Sequence, residues 1–554
     1  GDKGWEAMLH VMSQDHKLRG GADGEGGSGS ATIGIPTAVG PVVTIVSHLQ
    51  SHSSHTRFVS AAGNVFRQGM AQFWKTLCRV GGASVYNSRL IDIAVQHANS
   101  TERENVAAAA ECIAGVGRAC LSLPAGERAS ATAKIDGALR QALTTGGLES
   151  SPEWVECIRF LAKTQHPTKL QWLENLVLDE LSAASSSTTA AISRALSLLS
   201  GLLTEESWKG VALGGRAIAT VSPYLVADNQ TLREESARCI LMACRSGSHF
   251  PTSAEGRGGV ADTSELFDAF DKAVTDTLLK LSASTDSDET NARRKEGILY
   301  LVIHSLRHGD DVVCRTLSRL LPTILSTQAT GNVEYSGLGL VCLQLIATGY
   351  HTPATATAVA NVATGPDGIG HENWRVRAAA LSVLRGLAHG TAPRVEAEGD
   401  KLMGSVALDT ATRLLADKQP EIRDAAVQVL AGMLRCAAPS RRQDLLSKLP
   451  APLGRRKQTL SPEQAAERLA GVLGGCALVI SEPSGVPEWL PKLLATLCQI
   501  ADRELTSPVG KAISDAVAHF RRSHQDGWEI TRLSFPEEEL QELESFAVSR
   551  SYFS

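Results

Sequence analysis

Two apolar stripes that begin 46 residues apart, at Trp374 and at Pro420, restrict the fold of this chain more than any other feature of its sequence. From Trp374 the positions Val376, Ala380, Val383, Leu384 and Leu387 recur at the spacing of one helix face, and from Pro420 the positions Ile422, Ala426, Val429, Leu430 and Met433 do the same. A repeat of that length is the mark of helix pairs stacked in an array, each pair burying its apolar face against its neighbours. Pro420 occupies a first-turn place where its missing N–H costs nothing, and Asp417 just before it offers an N-terminal cap. Related helices are predicted at Glu104–Ala119, Thr231–Cys244, Arg293–Leu306 and Ser514–Arg522, with unequal spacing that implies insertions between them. The expected fold class is all-α, a HEAT/armadillo-like helical-repeat solenoid.

Length and composition support an array over a single thick core. At 554 residues the chain is well past the roughly 250–300 residues at which one hydrophobic core stops growing, and 5% aromatic content suits thin two-layer packing. A net charge of −5 leaves no whole-chain basic surface, so direct nucleic-acid binding is not expected. The 11 cysteines are scattered singly, and even the near pair Cys239 and Cys244 lacks a second pair at metal-ligand spacing. They read as small buried hydrophobes in a reducing compartment. No run of 18 apolar residues and no basic start followed by an apolar stretch is present, so neither a membrane span nor a secretory signal is expected, and the reading is nucleus and cytoplasm.

Composition shifts divide the chain. Residues 1–413 read as irregular HEAT-like repeats interrupted by Gly/Ser-rich loops at 20–30 and 246–262, with a smaller polar stretch at Ser185–Thr189. Residues 414–437 are a clear HEAT-type repeat. A basic Pro/Arg-rich linker at 438–461, with Arg441, Arg442, Lys448, Arg455, Arg456 and Lys457, is expected to be an extended crossover, and 462–554 form a C-terminal module.

No catalytic constellation emerges, and the chain is read as a non-enzyme. None of the 49 glycines sits in a phosphate loop closed by Lys-Ser or Lys-Thr, and no Gly-x-Ser-x-Gly elbow has assignable partners. His48, His52 and His55 would share one helix face and could hold zinc, but the interleaved Ser51, Ser53 and Ser54 favour a loop or an exposed helix, and no metal site is expected. The run Arg455-Arg456-Lys457 reads as a solvated loop, with a nuclear-import signal as the alternative. Trp374, Trp489 and Trp528 read as packing anchors, and Arg377 and Arg423, each following a stripe residue, as cross-links between turns of adjacent repeats.

Several C-terminal runs carry a family resemblance. They are Glu421-Ile422-Arg423-Asp424-Ala425-Ala426, Arg468-Leu469-Ala470-Gly471-Val472-Leu473-Gly474, Ser481-Glu482-Pro483 leading to Val486-Pro487-Glu488-Trp489-Leu490-Pro491, and Phe520-Arg521-Arg522-Ser523-His524-Gln525-Asp526-Gly527-Trp528. In that order and spacing, followed by an acidic helix from Pro536 to Phe546, the region from Leu414 onward resembles the C-terminal end of the large monomeric proteasome activators, the family of proteasome activator complex subunit 4. The chain starts at Gly1 without Met, and full-length family members are several times longer, so a C-terminal fragment is expected. The resemblance implies a HEAT-repeat dome that caps the α-ring of the 20S core particle and promotes gate opening, for degradation of peptides, unfolded proteins and acetylated histones without ATP or ubiquitin. No cofactor is required; the resemblance admits inositol polyphosphate as a ligand, with no residue assignable from sequence, and no motif carries over the acetyl-lysine recognition linked to the family.

It also gives a role to the last three residues. The family's tail is hydrophobic–tyrosine–any, its terminal carboxylate pairing with a pocket lysine between two α-subunits. Tyr552, Phe553 and Ser554 map onto those three places. Phe553 departs from the pattern, because it keeps the ring but lacks the hydroxyl, so one hydrogen bond worth about 1 kcal/mol cannot form. Docking is expected to survive better than gate opening. A HEAT-repeat scaffold or transport adaptor with no proteasome role is the alternative, since the periodicity alone does not separate the two.

Overall fold

The computed structural model describes residues 66–81, 90–100, 102–145, 151–184, 188–206, 211–248, 263–283, 288–308, 311–349, 351–398, 406–436, 439–448, 461–503 and 507–551. Among these there is no strand. The described residues are all-α and form helical repeats, and the chain divides into two compact units, 1–286 and 287–554.

The first unit contains α1 (Gln68–Gly81), α2 (Leu90–Ala98), α3 (Arg103–Cys120), α4 (Ala125–Thr145), α5 (Ser151–Ala162), α6 (Gln171–Ala184), α7 (Thr189–Glu206), α8 (Val211–Val221), α9 (Gln230–Ser248) and α10 (Thr263–Ala283). Alternate helices stack: α1, α3, α5, α7 and α9 form one layer and α2, α4, α6, α8 and α10 the other. That alternation makes a repeat array of it, because each helix packs on the one before its predecessor.

The second unit contains α11 (Asp288–His308), α12 (Leu317–Ser326), α13 (Val333–Thr348), α14 (Pro353–Thr364), α15 (Trp374–Glu398), α16 (Leu408–Leu414), α17 (Pro420–Cys436), α18 (Pro439–Lys448), α19 (Pro462–Ser481), α20 (Leu490–Arg503), α21 (Pro508–Ser523) and α22 (Glu537–Ser551). Here α11, α13, α15, α17, α19 and α21 stack in one layer, while α12 with α14 and α20 with α22 pair in the other.

The two stripes that suggested the repeat are the buried faces of α15 and α17. Val376, Ala380 and Val383 of α15 and Ile422, Ala426 and Leu430 of α17 are fully buried. The helices expected around Glu104, Thr231, Arg293 and Ser514 are α3, α9, α11 and α21, each a little longer than the apolar pattern because polar end turns carry no stripe. The helix that pairs with α17 is α16, which starts at Leu408 and so precedes the sequence-read start of that repeat at 414.

The expected extended crossover after Ala438 is corrected in its first part. Pro439–Lys448 is α18, with Leu445 buried and Arg442 ion-paired to Glu482. Pro439 at the first helical position is compatible with a helix, and one buried leucine is too small a signal to stand out from the Pro/Arg composition around it. Residues 449–460, including Arg455, Arg456 and Lys457, lie outside the described residues, as do the Gly/Ser-rich loop at 20–30, most of that at 246–262, and His48, His52 and His55.

Arginines tie the turns together as expected, with a common geometry. The Nη1 of Arg377 donates to the carbonyls of His371 and Glu372 at 2.9 and 2.8 Å, and that of Arg423 to those of Asp417 and Lys418 at 2.8 and 3.2 Å. Arg377 also crosses to the next repeat, donating from Nε and Nη2 to the two oxygens of Asp417 at 3.0 and 2.8 Å. Asp417 in turn accepts from the Gln419 N–H at 2.8 Å, so the residue that shapes the α17 entry is itself held by the preceding repeat. Arg233 makes the same fork to Ala227 and Asp228 at 2.7 and 2.8 Å, a third instance not recognised from sequence. Its signal was present: Leu232-Arg233, Val376-Arg377 and Ile422-Arg423 each place an arginine directly after a buried stripe residue.

Candidate docking module

The module that leads into the C-terminus is assembled from strongly specified parts. Ser461 and Gln464 form a reciprocal capping box at the start of α19, with Pro462 at its first position. The second half of that helix, Gly471 through Ser481, is buried throughout, which explains its nearly uninterrupted apolar sequence. Ser507 caps α21 by accepting from the Gly510 N–H at 3.2 Å. From α21 the chain passes through two short turns, Trp528–Thr531 and Arg532–Ser534, before α22.

An aromatic cluster fixes that passage. Phe520 is fully buried, its ring 4.2 Å from the His524 ring and 6.0 Å from that of Phe535, and Trp528 lies 6.3 Å from Phe535. Trp374, Trp489 and Trp528 all pack against the core of this unit while only partly buried, consistent with their reading as anchors. His519 of α21 has its pKa lowered by burial and by the charges of Arg435 and Arg522.

Helix α22 lies against α20. Leu543 and Phe546 are buried and Gln499 of α20 donates to Glu542 at 3.2 Å. Glu537, Glu538 and Glu539 occupy the first turn, where negative charge is favoured by the helix dipole. Tyr552, Phe553 and Ser554 lie outside the described residues, but the described backbone of α22 runs to Ser551. Three residues span at most about 10 Å when extended, so the position of α22 restricts where they can reach.

A groove between α17, α19 and α21 has an apolar floor that includes Leu473 and Ile480, with Arg423, Lys511 and Arg522 among its lining residues. Asp424 and Asp515 are interleaved with those cations, so the set does not fit a dedicated polyphosphate site, and no such ligand is assigned to it. Among the described residues no cluster of three or more metal-ligating side chains occurs, and no helix is long and apolar enough to cross a membrane.

Residues 465–554, which comprise nearly all of α19 and everything after it, match the family model described as proteasome activator complex subunit 4-like, C-terminal. The chain's C-terminal region is thus similar to that family. Upstream, similarity extends further than the sequence runs suggested. Proteasome activator subunit 4 of Arabidopsis thaliana is 25% identical over 546 residues, covering 90% of this chain and 29% of the relative. Proteasome activator complex subunit 4B of Danio rerio is 25% identical, covering 82% and 26%, and subunit 4 of Homo sapiens is 24% identical, covering 75% and 24%. The chain thus spans less than a third of the length of these relatives. Similar solved structures include importin beta, at 14% identity and a TM-score of 0.38 over 89% of this chain and 60% of that one, and the karyopherin Kap121p, at 12% and 0.42 over 88% and 46%.

Proposed function

We propose that this chain acts within a proteasome activator, as helical repeats that cap the α-ring of the 20S core particle and insert Tyr552, Phe553 and Ser554 into a pocket between α-subunits to promote gate opening. The observation that carries the reading is the match of residues 465–554 to the family's C-terminal region, a match that includes the tail and the whole of the helix before it. The chain's own part is mechanical. Buried Leu543 and Phe546 hold α22 on α20, the short connection limits the reach of the tail, the Ser554 carboxylate pairs with a cation in the pocket, and the Phe553 ring fills an apolar slot.

In this reading the protein is a non-catalytic regulator in nucleus and cytoplasm, its substrates are peptides and unfolded proteins, acetylated histones among them, and neither nucleic acid nor membrane is a partner. No cofactor is needed, and inositol polyphosphate is a ligand by family resemblance alone. Phe553 cannot supply the hydroxyl of the family's tyrosine, so the tail is expected to bind better than it opens the gate. The test is hydrolysis of a fluorogenic peptide by purified 20S core particle with the whole protein, with residues 552–554 deleted, and with Phe553→Tyr. Stimulation lost on deletion and raised by Phe553→Tyr is expected; absence of both stimulation and co-sedimentation would leave a scaffold with no proteasome role.

A further inference from the structure

The arginine fork that joins one repeat to the next is completed at Arg377 and left incomplete at Arg423. Each residue spends its Nη1 on two carbonyls of its own turn. At Arg377 the opposite edge, Nε and Nη2, holds both oxygens of Asp417, which lies in the turn ahead of α17, the next helix of the layer. At Arg423 that edge meets no carboxylate among the described residues. The reason is in the sequence. Its counterpart should come from the stretch ahead of α19, and between Asp444 and Glu463 the chain has no acidic residue to stand where Asp417 stands for Arg377. A guanidinium edge of this shape matches a carboxylate with two parallel hydrogen bonds, a fit that a neutral amide cannot equal in charge.

Arg423 lines the groove between α17, α19 and α21, above the apolar floor that includes Leu473 and Ile480. Pro420 and Pro508, the first residues of α17 and α21, line it too. Arg423 and Lys511, each three residues further along its helix, therefore flank the same end of the groove, and the positive ends of both helix dipoles lie there. Lys511 is exposed and its ammonium has no ion pair among the described residues. Asp424 and Asp515 are exposed on the walls, so they oppose a dense anion, yet as carboxylates in water they leave a single negative charge at the Arg423 end favourable. We infer that this groove binds a peptide segment carrying one acidic side chain flanked by aliphatic ones, its carboxylate on the Nε–Nη2 edge of Arg423 with Lys511 opposite and its aliphatic side chains on the Leu473–Ile480 floor. The site is separate from the tail and does not depend on the proposed function.

The experiment is fluorescence anisotropy at low salt with the whole protein and a labelled peptide, Gly-Leu-Glu-Leu-Gly with both ends blocked, beside the same peptide with Gln in place of Glu and a blocked hexaglutamate. The Gln peptide is expected to bind at least fivefold more weakly than the Glu peptide. Lys511→Glu, a change at an exposed side chain, is expected to weaken the Glu peptide by a similar factor with the thermal midpoint unchanged, and Lys492→Glu, at an exposed lysine of α20, to change nothing. Arg423→Lys keeps the charge but gives up the two-toothed edge and is expected to narrow the difference between the Glu and Gln peptides; it also loses the fork to its own turn, so the decision rests on Lys511→Glu. Equal binding of the two peptides overturns the inference, as does no binding of the Glu peptide or an unaffected Lys511→Glu. Tighter binding of hexaglutamate than of the Glu peptide overturns it as well, since that would mean a general anion surface. No core particle enters the assay, so its result leaves the proposed function to its own test.

Discussion

Replacing Arg377 by alanine is the sharpest test of how adjacent repeats are held together. Its guanidinium makes four hydrogen bonds, two to carbonyls of its own turn and two to the carboxylate of Asp417, and the side chains are only 13% and 10% exposed. Breaking a buried pair from one side costs about 3–5 kcal/mol, because the remaining charge stays desolvated without its partner. Here Asp417 keeps its bond from the Gln419 N–H, which places the expected loss at the low end, about 3 kcal/mol. Arg423→Ala removes the two carbonyl bonds of the same fork and is expected to cost about 2 kcal/mol or less. Arg377→Lys should recover little, since an ammonium cannot bridge two carbonyls and both carboxylate oxygens at once. Because arrays unfold by parts, the assay is native-state hydrogen exchange of amides in α15 and α17 with a urea titration beside it. Equal losses for the Arg377 and Arg423 alanine variants, or full rescue by Arg377→Lys, would refute the claim that the inter-repeat carboxylate contact does the holding.

Further expectations follow from other contacts. A Cβ on Gly386 would come 2.6 Å from the Ala347 carbonyl oxygen, so Gly386→Ala should cost about 2 kcal/mol or more by forcing α13 and α15 apart, whereas Gly390→Ala, with open space around it, should be neutral or stabilising; thermal melts of the two compare them directly. Burial raises the thiols of Cys78, Cys120, Cys239 and Cys476 to about 12, so native protein at pH 8 should resist a disulfide reagent at these positions and react in urea; rapid native labelling would contradict the packing. Burial also raises the carboxyls of Glu174 and Glu180, with Arg216 and Arg194 only partly offsetting it. A raised folded-state carboxyl pKa destabilises the fold above that pKa and ceases to do so below the unfolded value, so Glu174→Gln and Glu180→Gln should each stabilise the protein at pH 7 and lose that advantage near pH 4, as read from urea midpoints at the two pH values. Ser461→Ala removes one half of the α19 capping box and should cost about 1 kcal/mol, seen as faster exchange in the first turn of that helix.

Local periodicity and end signals determined most of the secondary structure by themselves. The stripes of α15 and α17, Pro420 at the first helical position, and single buried cysteines instead of paired ones all follow from which side chains can leave water and which end residues suit a helix of fixed pitch. The relation of the last quarter of the chain to the proteasome activators was legible for a similar reason, because its runs are short, ordered and close to their neighbours. What packing alone decided is whatever depends on residues distant in sequence. That Arg377 finds Asp417 40 positions on, that Arg233 belongs to the same set, and that Leu445 makes a helix of a segment whose composition suggested an extended chain all depend on how one repeat seats on the next. The exposure of Ile530 and Leu533 is of this kind as well. Their sequence matches that of buried residues, and only the seating of Trp528 and Phe535 on Phe520 turns them to the outside, since hydrophobicity states a preference for burial while the tertiary structure decides which side chains obtain it.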